Sequence, residues 1–469
     1  MKQGVRSSKW MLVLAFISLK AVAQERHEFS VNQAVDYAMK NSAQVKNALI
    51  EVSIQEQTNK EITAQAFPKL TGSIAANYYP KVPIQTFPNF IATGTYYVLQ
   101  QEGVKNGSGQ PITVPSDVGF IQASFGTRFT GTAGVDLNQT LFDGQVFVGL
   151  QARNAAIDYA RKAAEVTQEQ IKANIHKIYY QLVVGNKQIG TIDANITRSE
   201  KLLHDTREIY KNGFAERLDV SKVEVGLTNL KTERLRLVNQ WMNGLMGLKI
   251  LLGMPAKEEL ILTDTLSMDS EAKVTAEVLE GTYAYTNRKE YQQVELAKKL
   301  GEYNIKRYKY TYFPVLSAFG SYSYNAQRNN FDFFDFKQKW YPTALVGVRL
   351  NVPIFEGFAK DARVAKAKLE LAQTVNNMEN LKLSIDQEVE VARISMRSAV
   401  ASLDFQRKNM QLAEEVYDQA KKKYEQGLGS TLEITNAESD LKAAQNNYYS
   451  ALYDAIIAIV DYRKATGTL

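Results

Sequence analysis

The sequence predicts a mostly α-helical chain that also carries a small set of long β-strands, the whole written as two copies of one plan. Three observations predict it. The stretches 144–212 and 357–426 contain no proline and are rich in Ala, Lys, Gln, Glu and Leu. Four other runs alternate apolar and polar residues over about ten positions, the length of a tilted membrane-spanning strand. Finally, YKNGFAERLDVSKVE (210–224) is echoed by YEQGLGSTLEITNAE (424–438). Tyr210, Gly213, Leu218 and Glu224 recur as Tyr424, Gly427, Leu432 and Glu438, each 214 positions later.

The chain opens with a candidate leader. Lys2, Arg6, Lys9 and Lys20 surround the apolar run WMLVLAFISL, and Ala21 and Ala23 fit a small-x-small cleavage rule. A membrane anchor needs about 20 apolar residues, so residues 1–23 are expected to be a signal peptide. Of the chain's 56 basic residues this removes four, leaving 52 against 50 acidic ones. Such a balance lacks the concentrated basic surface that nucleic acid requires. There is no cysteine, hence no disulfide, no thiolate metal site and no cysteine for lipid attachment.

The repeat extends beyond the opening phrase. FPKLTGSIAANYYP (67–80) parallels FPVLSAFGSYSYNA (313–326), and NQTLFDG (138–144) parallels NVPIFEG (351–357). A first repeat is expected over 24–253 and a second over 275–469, with 254–274 as a linker. Each repeat reads as helix, strand, connection, strand, very long helix, glycine turn, helix. Units of this size are too long for a solenoid, so a duplicated domain fits better.

Strands are expected near 68–80, 131–142, 315–326 and 343–354. Leu70, Ile74 and Tyr78 alternate with Thr71, Ser73 and Asn77, and Val346, Val348 and Leu350 alternate with Gly347 and Arg349. Period-two alternation gives one apolar and one polar face, which suits a membrane barrel or a soluble sandwich alike. The connections favour the membrane. FDFFDFKQKWYP (331–342) crowds aromatics, and the longer first connection carries Tyr78, Tyr79, Phe87, Phe90, Tyr96 and Tyr97. Aromatics flanking alternating strands resemble an interfacial girdle. The first connection shows no period and is expected to be an external loop.

The long helices are expected over 144–212 and 357–426, each roughly 100 Å long. Ala413, Tyr417, Ala420 and Tyr424 are spaced by 4, 3 and 4, and Ala437, Leu441, Ala444, Tyr448, Ala451 and Ala455 continue that spacing. Such seams call for partner helices. Gly213 and Gly427 stand where each long helix stops and reverses, since glycine accepts the left-handed backbone past a helix end. Return helices are expected over 217–253 and 430–465. Shorter helices near 29–66 and 289–312 complete four rods per chain. Four strands cannot close a barrel and open edges do not survive in lipid; two chains would supply eight strands and three would supply twelve.

Together these phrases resemble the TolC-type outer-membrane efflux channel family, along essentially the whole mature chain. VNQAVDYAMKNSAQVKNALIEV (31–52) resembles the family's opening helical pair, and TNRKEYQQVELAKKLGEYNIKRYKYTYFPVLS (286–317) its counterpart in the second half. The resemblance implies a homotrimer with a twelve-stranded barrel in the outer membrane of a Gram-negative bacterium. It also implies a periplasmic α-helical barrel. Implied partners are a periplasmic adaptor (membrane fusion) protein, an inner-membrane pump of proton-driven or ABC type, and outer-membrane lipid. The alternative is a periplasmic or surface coiled-coil protein with a soluble β platform.

No catalytic constellation stands out, and no cofactor is expected. His27, His176 and His204 are the only histidines, and the last two lie too far apart for a shared helix-face metal site. Gly427-Leu428-Gly429 lacks the strand, lysine and hydroxyl of a phosphate loop. By resemblance the functional residues lie at the tips. Tyr424 matches a tyrosine at the periplasmic constriction, and Asp219 an acid on the neighbouring hairpin. Glu433 and Asn436 fall at two inner acids, and Gly429 at an arginine that latches the closed state. Asn436 is neutral where an acid is expected, and Arg217 is a possible substitute cation. Gly213, Phe214, Gly427, Leu428 and Gly429 are the expected adaptor-docking positions. Read without the resemblance, Tyr424 fills a heptad position and Asp219 is an acid in a first helical turn, favoured by the helix dipole.

Overall fold

The computed structural model describes residues 26–264 and 283–469, apart from Phe125 and Phe336. The expected leader 1–23 and residues 265–274 of the expected linker therefore lie outside the described residues. In chain order the first half contains β1 (Arg26–Phe29), α1 (Val31–Asn41), α2 (Ala43–Ala64), β2 (Lys69–Tyr78), β3 (Gln85–Pro88), α3 (Phe90–Gln101), β4 (Phe120–Ala123), β5 (Phe129–Phe142), α4 (Gly144–Lys211) and α5 (Arg217–Leu252). After β6 (Glu259–Leu262) come α6 (Lys289–Tyr310), β7 (Val315–Arg328), β8 (Tyr341–Asn351), α7 (Ala359–Glu425) and α8 (Thr431–Thr466). The chain divides into two units, and each draws on both sequence halves. One comprises Thr58–Gln151 and Tyr303–Ala367; the other comprises Met1–Gln57, Ala152–Glu302 and Lys368–Leu469.

The first unit is organised by one antiparallel sheet in the order β2-β5-β7-β8. Strands of both halves meet at the β5–β7 pair. Register aligns Leu70, Leu137, Gly320 and Val346 across the sheet, then Gly72, Val135, Tyr322 and Ala344, then Ile74, Ala133, Tyr324 and Pro342. All lie on one face, because side chains alternate along a strand. That face is apolar across the full sheet and stands open, with Ile74 and Val346 87% and 86% exposed. The opposite face is mostly polar, with Thr71, Asp136, Ser321 and the apolar Leu345 in one row and Ser73, Gly134, Ser323 and Thr343 in the next. There the Thr132 hydroxyl donates to Asn325 Oδ1 at 3.1 Å, and Asn325 Nδ2 donates to Thr343 Oγ1 at 3.1 Å. The outer edges of β2 and β8 have no partner strand among the described residues.

Aromatic rings gather where the connections leave the sheet. Tyr78 stacks on Phe129 at 4.8 Å between centroids, and Phe331 meets Phe129 edge-on at 5.8 Å. Phe333 and Trp340 lie over Gly131, where an added Cβ would fall 2.7 Å from the Phe333 ring. The first connection is not the aperiodic loop expected from its sequence, because β3 pairs with β4 and α3 lies between them. Asn89 starts this helix by accepting from the Ala92 amide at 3.0 Å. Four-residue strands are shorter than any window in which periodicity is legible.

The second unit is helical. The helix expected over 29–66 is interrupted at Ser42, whose backbone is extended with ψ 128°. The chain at Gly253 comes so close that a Cβ there would lie 2.4 Å from the Asn41 carbonyl oxygen. β1 and β6 form a parallel pair that alternation alone did not reveal. Tyr179 of α4, fully buried, fastens both strands: its hydroxyl donates to the Phe29 carbonyl at 2.8 Å and accepts from the Asp264 amide at 3.2 Å. Burial pushes its phenol up to about 12, so it stays neutral and able to do both. Around it Val35, Ala38, Ile175, Leu248 and Leu252 form a core. In the second half, Tyr283 and Tyr285 both donate to Asp386, at 2.5 and 2.8 Å. The buried Arg288 guanidinium joins Glu388 at 2.9 Å and the Ala465 carbonyl at 3.0 Å.

Tyr179→Phe removes one hydroxyl and leaves the half-buried Asp264 amide without its partner, while the Phe29 carbonyl still accepts from the Thr263 amide at 3.0 Å. Such a loss costs about 1–3 kcal/mol. A lowered denaturation midpoint of the detergent-purified protein, with unchanged helix content in the native baseline, is the expected result by circular dichroism.

Candidate functional site

The tips are built identically in both halves. At the end of α4 the Gly213 amide donates to the Tyr210 carbonyl at 3.0 Å and the Phe214 amide to the Ile209 carbonyl at 3.1 Å. At the end of α7 the Gly427 amide donates to the Tyr424 carbonyl at 3.0 Å and the Leu428 amide to the Lys423 carbonyl at 2.9 Å. This paired pattern is a Schellman closure, with glycine in the left-handed conformation at the residue past the helix. Gly213 and Gly427 have φ of 82° and 70°. The next residue usually turns its side chain back onto the helix. Phe214 and Leu428 do not, for they are 86% and 79% exposed.

The return helices start from side-chain caps. Asp219 Oδ2 accepts from the Glu216 amide at 3.1 Å, and Ser430 Oγ accepts from the Glu433 amide at 3.2 Å. Asp219 therefore does the work of a first-turn acid. Gly429 does not have a positive φ. Its requirement is space: a Cβ there would lie 3.0 Å from the Tyr424 nitrogen and 3.1 Å from Lys423 Cβ.

Phe214, Asp219, Tyr424, Gly427, Gly429 and Leu432 line one cleft between the turns. Tyr424 is buried at its inner end, and its hydroxyl lies 2.8 Å from Thr206 Oγ1 on α4. The ring packs with Leu202, Val223, Ile434 and Leu441, so all four tip helices meet there. Glu433 stands apart, paired with Lys423 at 3.2 Å in an exposed position. Asn436 is exposed. Arg217 is exposed too, and its guanidinium reaches no carboxylate among the described residues.

The sequence reading missed the buried polar partners behind the tip. Ile192, Asn195, Ser199, Leu202 and Thr206 are spaced by 3, 4, 3 and 4 along α4, and all are buried. That spacing is the same helix stripe that marks the apolar seams, but counting only apolar residues hides it. Asn195 Nδ2 donates to Gln445 Oε1 at 2.8 Å, and Gln188 Nε2 donates to Asn446 Oδ1 at 3.0 Å. Thr191 and Tyr449 share a hydroxyl contact of 2.5 Å. Arg234, the one polar residue in the expected seam of α5, pairs with Asp193. Ser199 Oγ and Glu438 Oε1 face each other across α4 and α8, and both are buried without a sound hydrogen bond. Burial raises the Glu438 carboxyl above its ordinary range, only partly offset by Ser199, Arg198 and Lys442. Arg198 is itself engaged with Asn195 at 2.7 Å and lies over the Tyr417 ring, while Lys442 pairs with Glu233.

Among the described residues no group of three or more His, Asp or Glu is placed to hold a metal, and no helix is long and apolar enough to cross a membrane.

The family model described as "Outer membrane efflux protein" matches residues 283–468, the second half of the chain. The chain is 18% identical over 350 residues to the outer membrane protein TolC of Vibrio cholerae, covering 72% of this chain and 77% of that protein. It is 24% identical over 357 residues to the outer membrane efflux protein BepC of Brucella suis, covering 73% of each. Its fold is similar to the crystal structure of the outer membrane protein VceC from Vibrio cholerae, with a TM-score of 0.68, 15% identity, and coverage of 93% of this chain and 96% of that one. The fold is thus shared even where few residues are the same.

The Glu438 carboxyl gives a pH prediction. Its folded-state pKa is raised, so the native protein holds this proton more tightly than the unfolded chain does. Its contribution is present at low pH and is lost as pH rises from the ordinary carboxylate range through the raised folded value. Glu438→Gln is expected to raise stability at pH 7.5, with the difference from the parent chain vanishing near pH 4. Thermal melts at the two pH values check it.

Proposed function

We propose that the chain is the outer-membrane exit duct of a tripartite efflux or secretion system, a conduit and not an enzyme. The observation that carries this reading is the open sheet. A continuous apolar face, a hydrogen-bonded polar face and two unpaired edges are stable in lipid only when copies close a barrel. Three copies contribute twelve strands, with the apolar face against lipid and the polar face lining the lumen. In this reading 24–253 and 275–469 are the two structural repeats, 254–274 contributes to a girdle, and the helical unit forms a periplasmic tunnel. A periplasmic adaptor and an inner-membrane pump deliver the substrate. Similarity to an outer membrane efflux protein, BepC of Brucella suis, supports this reading.

Within it, the tip is the gate. Tyr424 and Thr206 form a neutral latch between the hairpins of one chain, while Asp219, Glu433, Asn436 and Arg217 set the charge around the mouth. What supports adaptor docking at Gly213, Phe214, Gly427, Leu428 and Gly429 is the outward display of Phe214 and Leu428, apolar side chains left without intramolecular cover. An arginine latch at 429 is disfavoured by the close approach of the Tyr424 backbone.

Two experiments test the reading. The mature chain is expected to fractionate with the outer membrane and to elute in detergent with the mass of three copies. A folded monomer stable without detergent would instead establish the soluble platform. In planar bilayers, Tyr424→Phe and Thr206→Val are each expected to raise the open fraction about two- to tenfold per subunit, from a net hydrogen bond of about 0.5–1.5 kcal/mol. The double variant should exceed neither single one by much, because both remove the same bond.

A further inference from the structure

The helix α3 (Phe90–Gln101) has no role in the duct just described. Residues 82–101 form a twenty-residue run without an Asp, Glu, Lys or Arg. Within it, Phe90, Ile91, Tyr97 and Val98 are each more than half exposed. With Gly94 they share one stripe, at the 3-4 spacing of a helix face. Ala92, Thr93 and Leu99, on other faces, are half-buried. The stripe is therefore presented outward by the way the helix is held, not left bare by fraying. The hold is specific: the Asn89 amide donates to the Gly119 carbonyl at 3.0 Å, and the Val104 amide to the Leu99 carbonyl at 3.1 Å.

Two further features point to lipid as the occupant. First, the two threonine hydroxyls of the helix need no water. Thr93 Oγ1 donates to the Asn89 carbonyl at 2.9 Å and Thr95 Oγ1 to the Ile91 carbonyl at 2.8 Å. Satisfied polar groups are the condition for burial in an apolar medium. Second, the chain tethers the helix near the rim of the sheet. Phe129, a rim residue, is six positions beyond the end of β4 at Ala123, so the base of the β3–β4 ribbon lies within about 20 Å of the aromatic rim. Phe120, on the ribbon beside the helix start, is also exposed. Tyr96 and Tyr97 provide the amphipathic rings that suit a membrane boundary.

We propose that α3 is an interfacial helix, lying with its Phe90–Ile91–Tyr97–Val98 stripe in the acyl-chain boundary of the leaflet around the barrel. This rests on the reading of the sheet as membrane-spanning. It assigns lipid as the partner of a surface that an external loop exposed to water would not be expected to carry. The absence of charge distinguishes it from a surface helix held by anionic headgroups: insertion here depends on apolar area alone, and salt leaves it unchanged.

The chain lacks cysteine, so single cysteines can be labelled uniquely. Val98→Cys, Val346→Cys and Ser108→Cys, in the full chain reconstituted into phosphatidylcholine nanodiscs, would carry an environment-sensitive fluorophore. Nitroxide-labelled lipid then quenches whichever probe touches the acyl region. Val346, on the apolar sheet face, reports the barrel, and Ser108, in the exposed turn beyond α3, reports water. Quenching at Val98 several-fold above Ser108, close to that at Val346 and insensitive to salt, is the expected result. Quenching at Val346 with Val98 no different from Ser108 overturns the interfacial helix and leaves the membrane sheet standing. Loss of quenching at Val346 as well overturns both. Excimer emission from pyrene at Val98, without lipid quenching, means that stripes of neighbouring copies cover one another, and that also overturns the proposal.

Discussion

A β-sheet that meets lipid cannot leave an edge open, and this constraint organises the chain. Unpaired amides and carbonyls find no water in the bilayer core, and each costs several kcal/mol. The described sheet has two such edges and an apolar face that nothing in the chain covers. A single copy is therefore an unfinished object. In the proposed duct, closure by symmetry removes the edges and gives the apolar face its solvent. The same argument explains why β2 and β8, the outer strands, carry Ile74 and Val346 so fully exposed in one copy.

The helical unit meets the opposite problem. Its long helices must pack firmly over their whole length and, in the proposed gated duct, still permit small changes in tilt at the tip. A seam of only large apolar residues would favour one fixed interdigitation. Here Asn195, Ser199 and Thr206 break the apolar stripe of α4, and Gln445, Glu438 and Tyr424 face them. Such contacts specify register, because a one-turn slip leaves buried polar atoms unpaired. The Ser199–Glu438 position is the exception within the series, since both atoms are buried without a sound partner. It is the weakest link of the ladder and lies close behind the tip.

Duplication accounts for the economy of the design. Both halves end their long helices with the same backbone closure, and both return with a side-chain cap on the next helix. The fastenings at the other end of the helical unit are not duplicated. The first half uses Tyr179 to hold the β1–β6 pair, whereas the second uses Tyr283 and Tyr285 on Asp386 together with the buried Arg288. The tips preserve a shared backbone geometry, and the sequence between them has diverged into different side-chain solutions.

The sequence by itself determined the features that depend on local chemistry. Helix length followed from the absence of proline, tip position from glycines 213 and 427, and strand faces from two-residue alternation. Each is a property of neighbouring residues and is legible at short range. Only the tertiary structure decided the rest. That β5 pairs with β7, joining the halves in one sheet, depends on residues nearly two hundred positions apart. So does the placement of Tyr424 against Thr206, which turns a heptad tyrosine into a hydrogen-bonded contact between hairpins. Asp219 is an acid of the first turn by its position, and only the structure shows its carboxylate accepting from the Glu216 amide. Gly429 owes its identity to space left by Tyr424 and Lys423, which no pattern in its own stretch announces. Pairing across sequence distance is set by the packing of the whole chain, and a linear pattern carries the propensity of each element without naming its partner.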